Sequence, residues 1–394
     1  MTTACKLATH IEELLVMRNE IIEGFFAREA RKLALACQEM SERFLQGGRL
    51  LAFGRGNYAT DAQHVSVEFV HPVIVGKRAL PALDLSASFQ RWLGAILRPE
   101  DIVMGFGPPG GDVEVQEALR FAYSRKAMTF ALPGGKGSYA LGRVCENPFI
   151  HQELIEIFYH VLWETVHVFF EHRELGQDVG QTEFLYPFLG QTRQDMSGIV
   201  DQVTASIRLK AHDDSLLRAQ LAEEQGERIG NTVAAIHDRL VRGGKLILFG
   251  NGGSATDAND WAMDCVDPPS GYRSIPAISL SMEPAIITAL ANDVGNDVIF
   301  LRQLIAHAQP EDIAVAISTS GGSRNIVMAL EEARKRGLLT VALVGYDGGE
   351  ICRRGLADFP IIIRSDYIPR IQEVQASAYH VIRETLETMN RGEA

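Results

Sequence analysis

The sequence predicts an α/β protein made of two tandem copies of one domain, each with a parallel sheet and helices on both faces. Three observations carry this. The chain has 394 residues with 46% hydrophobic content, enough to fill two cores. Short apolar runs alternate with glycine-rich turns and helical stretches, the pattern of a parallel sheet joined by crossover helices. Finally, the chain repeats itself: GGRLLAFGRGNYATDAQHVSVEFV, from Gly47, lies over GGKLILFGNGGSATDANDWAMDCV, from Gly243, without a gap at an offset of 196.

Each copy can be read in order as helix, strand, turn, helix, strand, strand, turn, helix, strand, helix. RPEDIVMGFGPPGGDVEVQEALRFA matches QPEDIAVAISTSGGSRNIVMALEEA at an offset of 211, so the first copy lacks about fifteen residues before this point. The closing helices, HQELIEIFYHVLWE from His151 and IQEVQASAYHVIRE from Ile371, match at an offset of 220. GQDVGQTEFLYPFLGQ, rich in turn residues and without helical periodicity, separates the copies. Its apolar side chains, Phe184, Leu185, Tyr186, Phe188 and Leu189, are expected to dock on a domain. The expected organisation is a divergent domain over 1–175, a linker over 176–194 and a second domain over 195–394.

Composition excludes several classes of function. Lys and Arg number 38 against 50 Asp and Glu, for a net charge of -12, so nucleic acid is not an expected partner. No apolar run reaches the length of a membrane span, and MTTACKLATHIEELL lacks the basic and apolar regions of a leader, so a cytoplasmic protein with no membrane partner is expected. Five cysteines, none at CxxC spacing, fit reduced thiols.

The chemistry concentrates at two turns of the second copy. The strand Leu246 to Phe249 runs into Gly250, Asn251, Gly252, Gly253 and Ser254, and helix-forming residues resume at Ala255; close-approaching amides and a helix N-terminus favour an anion such as phosphate. After the strand Ile313 to Ile317 come Ser318, Thr319, Ser320, Gly321, Gly322 and Ser323, and a helix is predicted from about Arg324. One Ser suffices for a helix cap; four hydroxyls in six residues point to phosphate. The first copy has Arg55 and Tyr58 in place of Asn251 and Ser254, and Gly107-Pro108-Pro109-Gly110-Gly111-Asp112 in place of the serine turn. Two prolines remove donors and Asp112 repels an anion, so phosphate is not expected there.

What the first copy keeps is another set. His64 and Glu68 share one helix face, and Gln152 and His160 share a face of the closing helix. Two imidazoles, a carboxylate and an amide could hold zinc or another divalent metal. A lone histidine more often only hydrogen-bonds at a helix interface. The second copy has Asp260 and Asp264 at the first two positions and retains Gln372 and His380, which makes it the weaker candidate for catalysis.

Taken together, GNGGSATDAND, ANDVGNDVIFLRQL, ISTSGGSRNIVMALEEARKRGL and RIQEVQASAYHVI resemble the phosphoheptose isomerase branch of the sugar isomerase (SIS) domain family. The resemblance covers nearly all of the second half, and the first half is a divergent copy. It implies a five-stranded parallel sheet between helix layers, phosphosugar ligands and no nucleotide cofactor. It also implies an assembly of four such domains, which a homodimer of this chain would complete. It assigns phosphosugar contacts to Asn251, Ser254, Ser318, Thr319, Ser320 and Ser323. The metal or catalytic set becomes His64, Glu68, Gln152 and His160, with Glu68 and His160 as the acid-base pair. The function expected is aldose-ketose isomerisation of a sugar phosphate like sedoheptulose 7-phosphate, with acid-base residues from the first copy and the phosphate turn from the second. The alternative is a non-catalytic regulator or scaffold that binds a phosphosugar and a protein partner.

Overall fold

The computed structural model describes residues 3–72, 77–135, 137–174 and 196–391. The expected linker, 176–194, and its aromatic cluster lie outside the described residues.

The first copy runs α1 (Thr3–Leu45), β1 (Leu50–Phe53), α2 (Tyr58–Val70), β2 (Ala82–Asp84), α3 (Phe89–Ile96), β3 (Ile102–Phe106), α4 (Val113–Ser124), β4 (Met128–Leu132), β5 (Tyr139–Ala140) and α5 (Pro148–Glu174). The second runs α6 (Met196–Val241), β6 (Leu246–Gly250), α7 (Gly253–Val266), β7 (Ala277–Ser279), α8 (Pro284–Asp293), a 3-10 turn (Asn296–Val298), α9 (Ile299–His307), β8 (Ile313–Ser318), α10 (Arg324–Lys335), β9 (Leu339–Gly345), α11 (Gly349–Arg353), β10 (Phe359–Ile363) and α12 (Ile368–Asn390). The extra fifteen or so residues of the second copy are accounted for by its helical insert: α8, the 3-10 turn and α9 stand where the first copy has α3 alone.

Each copy forms a five-stranded sheet, in the order β2-β1-β3-β4-β5 and β7-β6-β8-β9-β10, and every pairing is parallel. The strand order is thus the same in both. Strands β3, β4, β6, β8 and β9 are buried along their whole length, because helices cover both faces, and this is why they read as continuous apolar runs without alternation. Each sheet therefore has a core on either side: Met104, Phe130 and Trp163 lie in one and Phe53, Phe89 and Leu119 in the other for the first copy. Val315, Trp261 and Tyr379, then Phe249, Phe300 and Ala316, do the same for the second.

Contacts gather the chain into two compact units, Ile21–His212 and Met1–Glu20 with Asp213–Ala394. The divisions at 175 and 195 follow the repeat, whereas packing follows the two long helices. Ile11 and Leu15 of α1 enter the core of Trp261 and Leu386, while Ile199, Val203 and Ile207 of α6 enter that of Phe26 and Phe169. A 43-residue helix is about 65 Å long at 1.5 Å per residue, more than one core can cover. Within the unit holding the second sheet, buried Arg18 of α1 pairs with Glu384 of α12 at 2.5 Å.

Among the described residues no helix is long and apolar enough to cross a membrane. Cys37, Cys145, Cys265 and Cys352 are free thiols.

Candidate functional site

In the second copy, β6 and β8 are neighbours, and Gly250 pairs with Ile317 at their C-terminal ends. The chain leaves these two strands toward opposite edges of the sheet, so their turns flank the crevice where open α/β sheets bind ligands. Gly250 is required, because a Cβ there would come within 2.2 Å of the Ser254 carbonyl oxygen. Gly321 is required twice over: its φ is +59°, and a Cβ would lie 2.3 Å from the Gly348 carbonyl oxygen.

The predicted contact residues come together around these turns. Ser254 and Ser318 are buried, and Asn251 and Ser320 are exposed. The Ser318 hydroxyl accepts the Gly321 N–H at 3.1 Å and the Ser320 hydroxyl accepts the Gly322 N–H at 3.3 Å, bonds that fold the turn back on itself. The Thr319 carbonyl accepts the Gly345 N–H at 2.9 Å, tying the turn to the end of β9. Ser323 stands at the N-cap of α10, yet its side chain makes no capping bond. The helix-cap explanation of that hydroxyl therefore fails, and α10 presents an N-terminus uncapped by Ser323. Asn251 pairs reciprocally with Asn325, each amide nitrogen 3.0 Å from the other's oxygen.

The corresponding turn of the first copy is filled by its own side chains. Asp112 caps α4 by accepting the Val115 N–H at 3.0 Å. Arg55 reaches Asp112 at 3.2 Å and Glu114 at 3.1 Å. The ring of His151 donates from Nε2 to the Gly107 carbonyl at 3.0 Å, and burial lowers its pKa to about 4.

The acid-base set also assembles within its copy. His64 and Glu68 on α2 and His160 on α5 are buried, with one donor atom from each lying within 4.8 Å of the others. His64 Nε2 is 3.8 Å from Glu68, and the His64 and His160 rings are 5.2 Å apart at 75°. Burial first, and the neighbouring His160 second, hold the pKa of His64 well below the usual histidine range. A neutral imidazole is the form that binds a metal, so two imidazoles and a carboxylate fit a divalent ion. Gln152 is buried on the same helix, with its amide donating to Asp61 at 3.3 Å.

At the matching place in the second copy, His380 lies 3.5 Å from Asp260 and 3.2 Å from Asp264, all buried. Asp260 also accepts the Tyr379 hydroxyl at 2.8 Å. Gln372 is buried on α12. The two carboxylates and one imidazole form a second potential ligand group, with no glutamate long enough to replace Glu68. Sequence reasoning missed Asn325, Glu114, Asp61 and Tyr379. Only the first two had a signal: residues 114 and 325 match at the 211 offset, and Arg55 opposite Glu114 is a charge pair.

A model of the SIS domain matches residues 212–345. The phosphoheptose isomerase of Citrifermentans bemidjiense is 41% identical over 186 residues, which is 47% of this chain and 95% of that protein. That of Geobacter sulfurreducens is 39% identical over 190 residues, 48% of this chain and 97% of the relative. Over 97% of the chain the fold is similar to the C-terminal domain of glucosamine-fructose-6-phosphate aminotransferase from Francisella tularensis, with TM-score 0.62, 10% identity and 96% of that chain covered. It is likewise similar to a putative phosphosugar isomerase from Silicibacter pomeroyi, with TM-score 0.57, 12% identity, and 97% and 98% of the two chains covered. At those identities the likeness is one of fold. The same strand order in both copies, the SIS match in the second and the close isomerase relatives lead to one conclusion: the chain belongs to the sugar isomerase (SIS) domain family, in its phosphoheptose isomerase branch, as a tandem of two domains with a divergent first copy.

Proposed function

We propose that this protein is a sugar-phosphate isomerase that interconverts an aldose and a ketose of the sedoheptulose 7-phosphate type. The observation that carries the reading is the buried meeting of His64, Glu68 and His160, which brings a carboxylate and two imidazoles within 4.8 Å of one another. Relatives about 40% identical, named phosphoheptose isomerase, support the substrate class.

The second-copy turns bind the phosphate, with Ser318, Thr319, Ser320 and Ser323 supplying hydroxyls and α10 its N-terminus. Asn251 and Ser254 contact the same ligand. Glu68 removes the proton from the carbon beside the carbonyl and returns it to the neighbouring carbon. His160 moves the matching proton between the two oxygens. Burial of the set excludes water, which keeps the abstracted proton from exchanging before it is returned. His64, Glu68 and His160, with Gln152 on the same helix as His160, would hold a divalent metal such as zinc. Such an ion supplies Lewis acidity where negative charge develops on oxygen. Asp260, Asp264, Gln372 and His380 are the reserve set.

We read the chain as a cytoplasmic homodimer that completes four SIS domains. Unpaired thiols support the compartment. Support for the dimer comes from α8, which buries none of its residues, and from its exposed apolar neighbours Met282 and Val294. Sedoheptulose 7-phosphate mixed with the protein, with and without zinc, tests the activity: aldose signals in the NMR spectrum are expected. Their absence in both conditions rules the isomerase out.

A further inference from the structure

We propose that Asn325 is a positioning residue that sets the ligand charge accepted by the second-copy turns, acting through Asn251. This rests on the phosphate-binding role given to those turns above. Asn251 follows β6, and Asn325 lies in the first turn of α10, just past Ser323. Their amides exchange two hydrogen bonds, both 3.0 Å, and Asn325 Oδ1 also accepts the Ile326 N–H at 2.9 Å. The third bond fixes which end of the Asn325 amide faces Asn251. That in turn fixes the Asn251 amide, leaving it one N–H beyond the pair for a ligand. A change at 325 thus acts on the ligand through the orientation of Asn251.

The first copy shows that the junction belongs to the repeat. Positions 55 and 114 match 251 and 325, and they too are joined, by the Arg55–Glu114 ion pair at 3.1 Å. Asp112, at the place of Ser323, adds a second carboxylate to Arg55 at 3.2 Å. One cation and two carboxylates leave a net negative charge at the start of α4, where an incoming phosphate would be repelled. In the second copy the same three places hold Asn251, Ser323 and Asn325, with no formal charge. The junction therefore does the same mechanical work in both copies, and its charge decides whether an anion is admitted.

Titration of the full-length protein with inorganic phosphate, and separately with sedoheptulose 7-phosphate, tests this. Asn325→Asp keeps shape and the Ile326 bond but removes the donor to Asn251 and adds charge; both ligands are expected to bind at least about 10-fold more weakly. Asn325→Ala should weaken binding about 5-fold and raise KM by more than it lowers kcat, since the loss falls on phosphate binding. The triple variant Asn251→Arg, Ser323→Asp and Asn325→Glu rewrites the first-copy junction with its two carboxylates; its thermal midpoint should stay near that of the parent while phosphate binding disappears. A merely structural pair would show the opposite, a restored junction with restored binding. Parent-like affinity in Asn325→Asp, or phosphate binding by the triple variant, would overturn the inference while the proposed function stands. Absence of phosphosugar binding by the unaltered protein would overturn both.

Discussion

The turn after β3 and the turn after β8 hold the same place in their respective sheets, and they differ in what their polar groups are committed to. After β8, Ser323 does not cap its helix and the neighbouring junction is neutral. After β3, Asp112 caps α4, Arg55 is held by two carboxylates, and His151 is tied to Gly107. Prolines 108 and 109 bring no N–H at all. An anion site needs donors not already satisfied from within, so duplication could keep the backbone frame and lose the site through side chains alone. The acid-base residues show the reverse, with His64 and Glu68 in the first copy against Asp260 and Asp264 in the second.

The sharpest way to break this division of roles is Glu68→Gln. The side chain keeps its size and loses its base, so the isomerase rate should fall by about 100- to 10,000-fold, roughly 3 to 5 kcal/mol in the barrier. Steady-state kinetics with a phosphosugar read this directly, and an unchanged rate would remove Glu68 from the mechanism. The next effect belongs to His151, whose counterpart in the second copy is Ile371. Its folded pKa, about 4, lies below the ordinary 6.5, so between those values the unfolded chain holds a proton that the folded one does not. Stability should therefore fall as pH drops through that window, by up to about 3 kcal/mol. Urea unfolding at a series of pH values should show that share of the acid sensitivity vanish in His151→Asn.

A smaller effect is expected at the serine turn. Changing Ser320 and Ser323 together to Ala should weaken phosphosugar binding by about 2 kcal/mol or more, since bonds to a charged group contribute roughly 1.5 to 3 kcal/mol each. Calorimetry showing equal affinity would move the phosphate elsewhere. Least of all, Asp112→Ala should cost about 1 kcal/mol of stability, the usual value of an N-cap. The exposed Arg55 ion pairs add little to that, because water screens them. Thermal unfolding measures it, and no loss would show that the cap is not what holds Asp112 in place.

Much of this was legible in the sequence because it is written in local patterns. Apolar runs ending at a glycine turn and at a serine turn gave β6 and β8, and spacing of four put His64 beside Glu68. The duplication then predicted the same domain twice, and the two sheets share one strand order. What stayed hidden depends on pairing across sequence distance. Asn325 and Asn251 are 74 residues apart, and their only signal is indirect, the Arg55 and Glu114 charge pair at the matching places of the other copy. The exchange of helix ends between packing units was equally illegible, since α1 is one uninterrupted amphipathic pattern whose two halves serve different cores.

The stoichiometry of phosphate binding tests the contrast between the copies most directly. Titration of the unaltered protein with sedoheptulose 7-phosphate in a calorimeter should give one site per chain, and the Ser320, Ser323 double variant should weaken that site alone. Two equivalent sites per chain, or one site whose affinity the double variant leaves unchanged, would contradict the assignment of phosphate binding to the second copy.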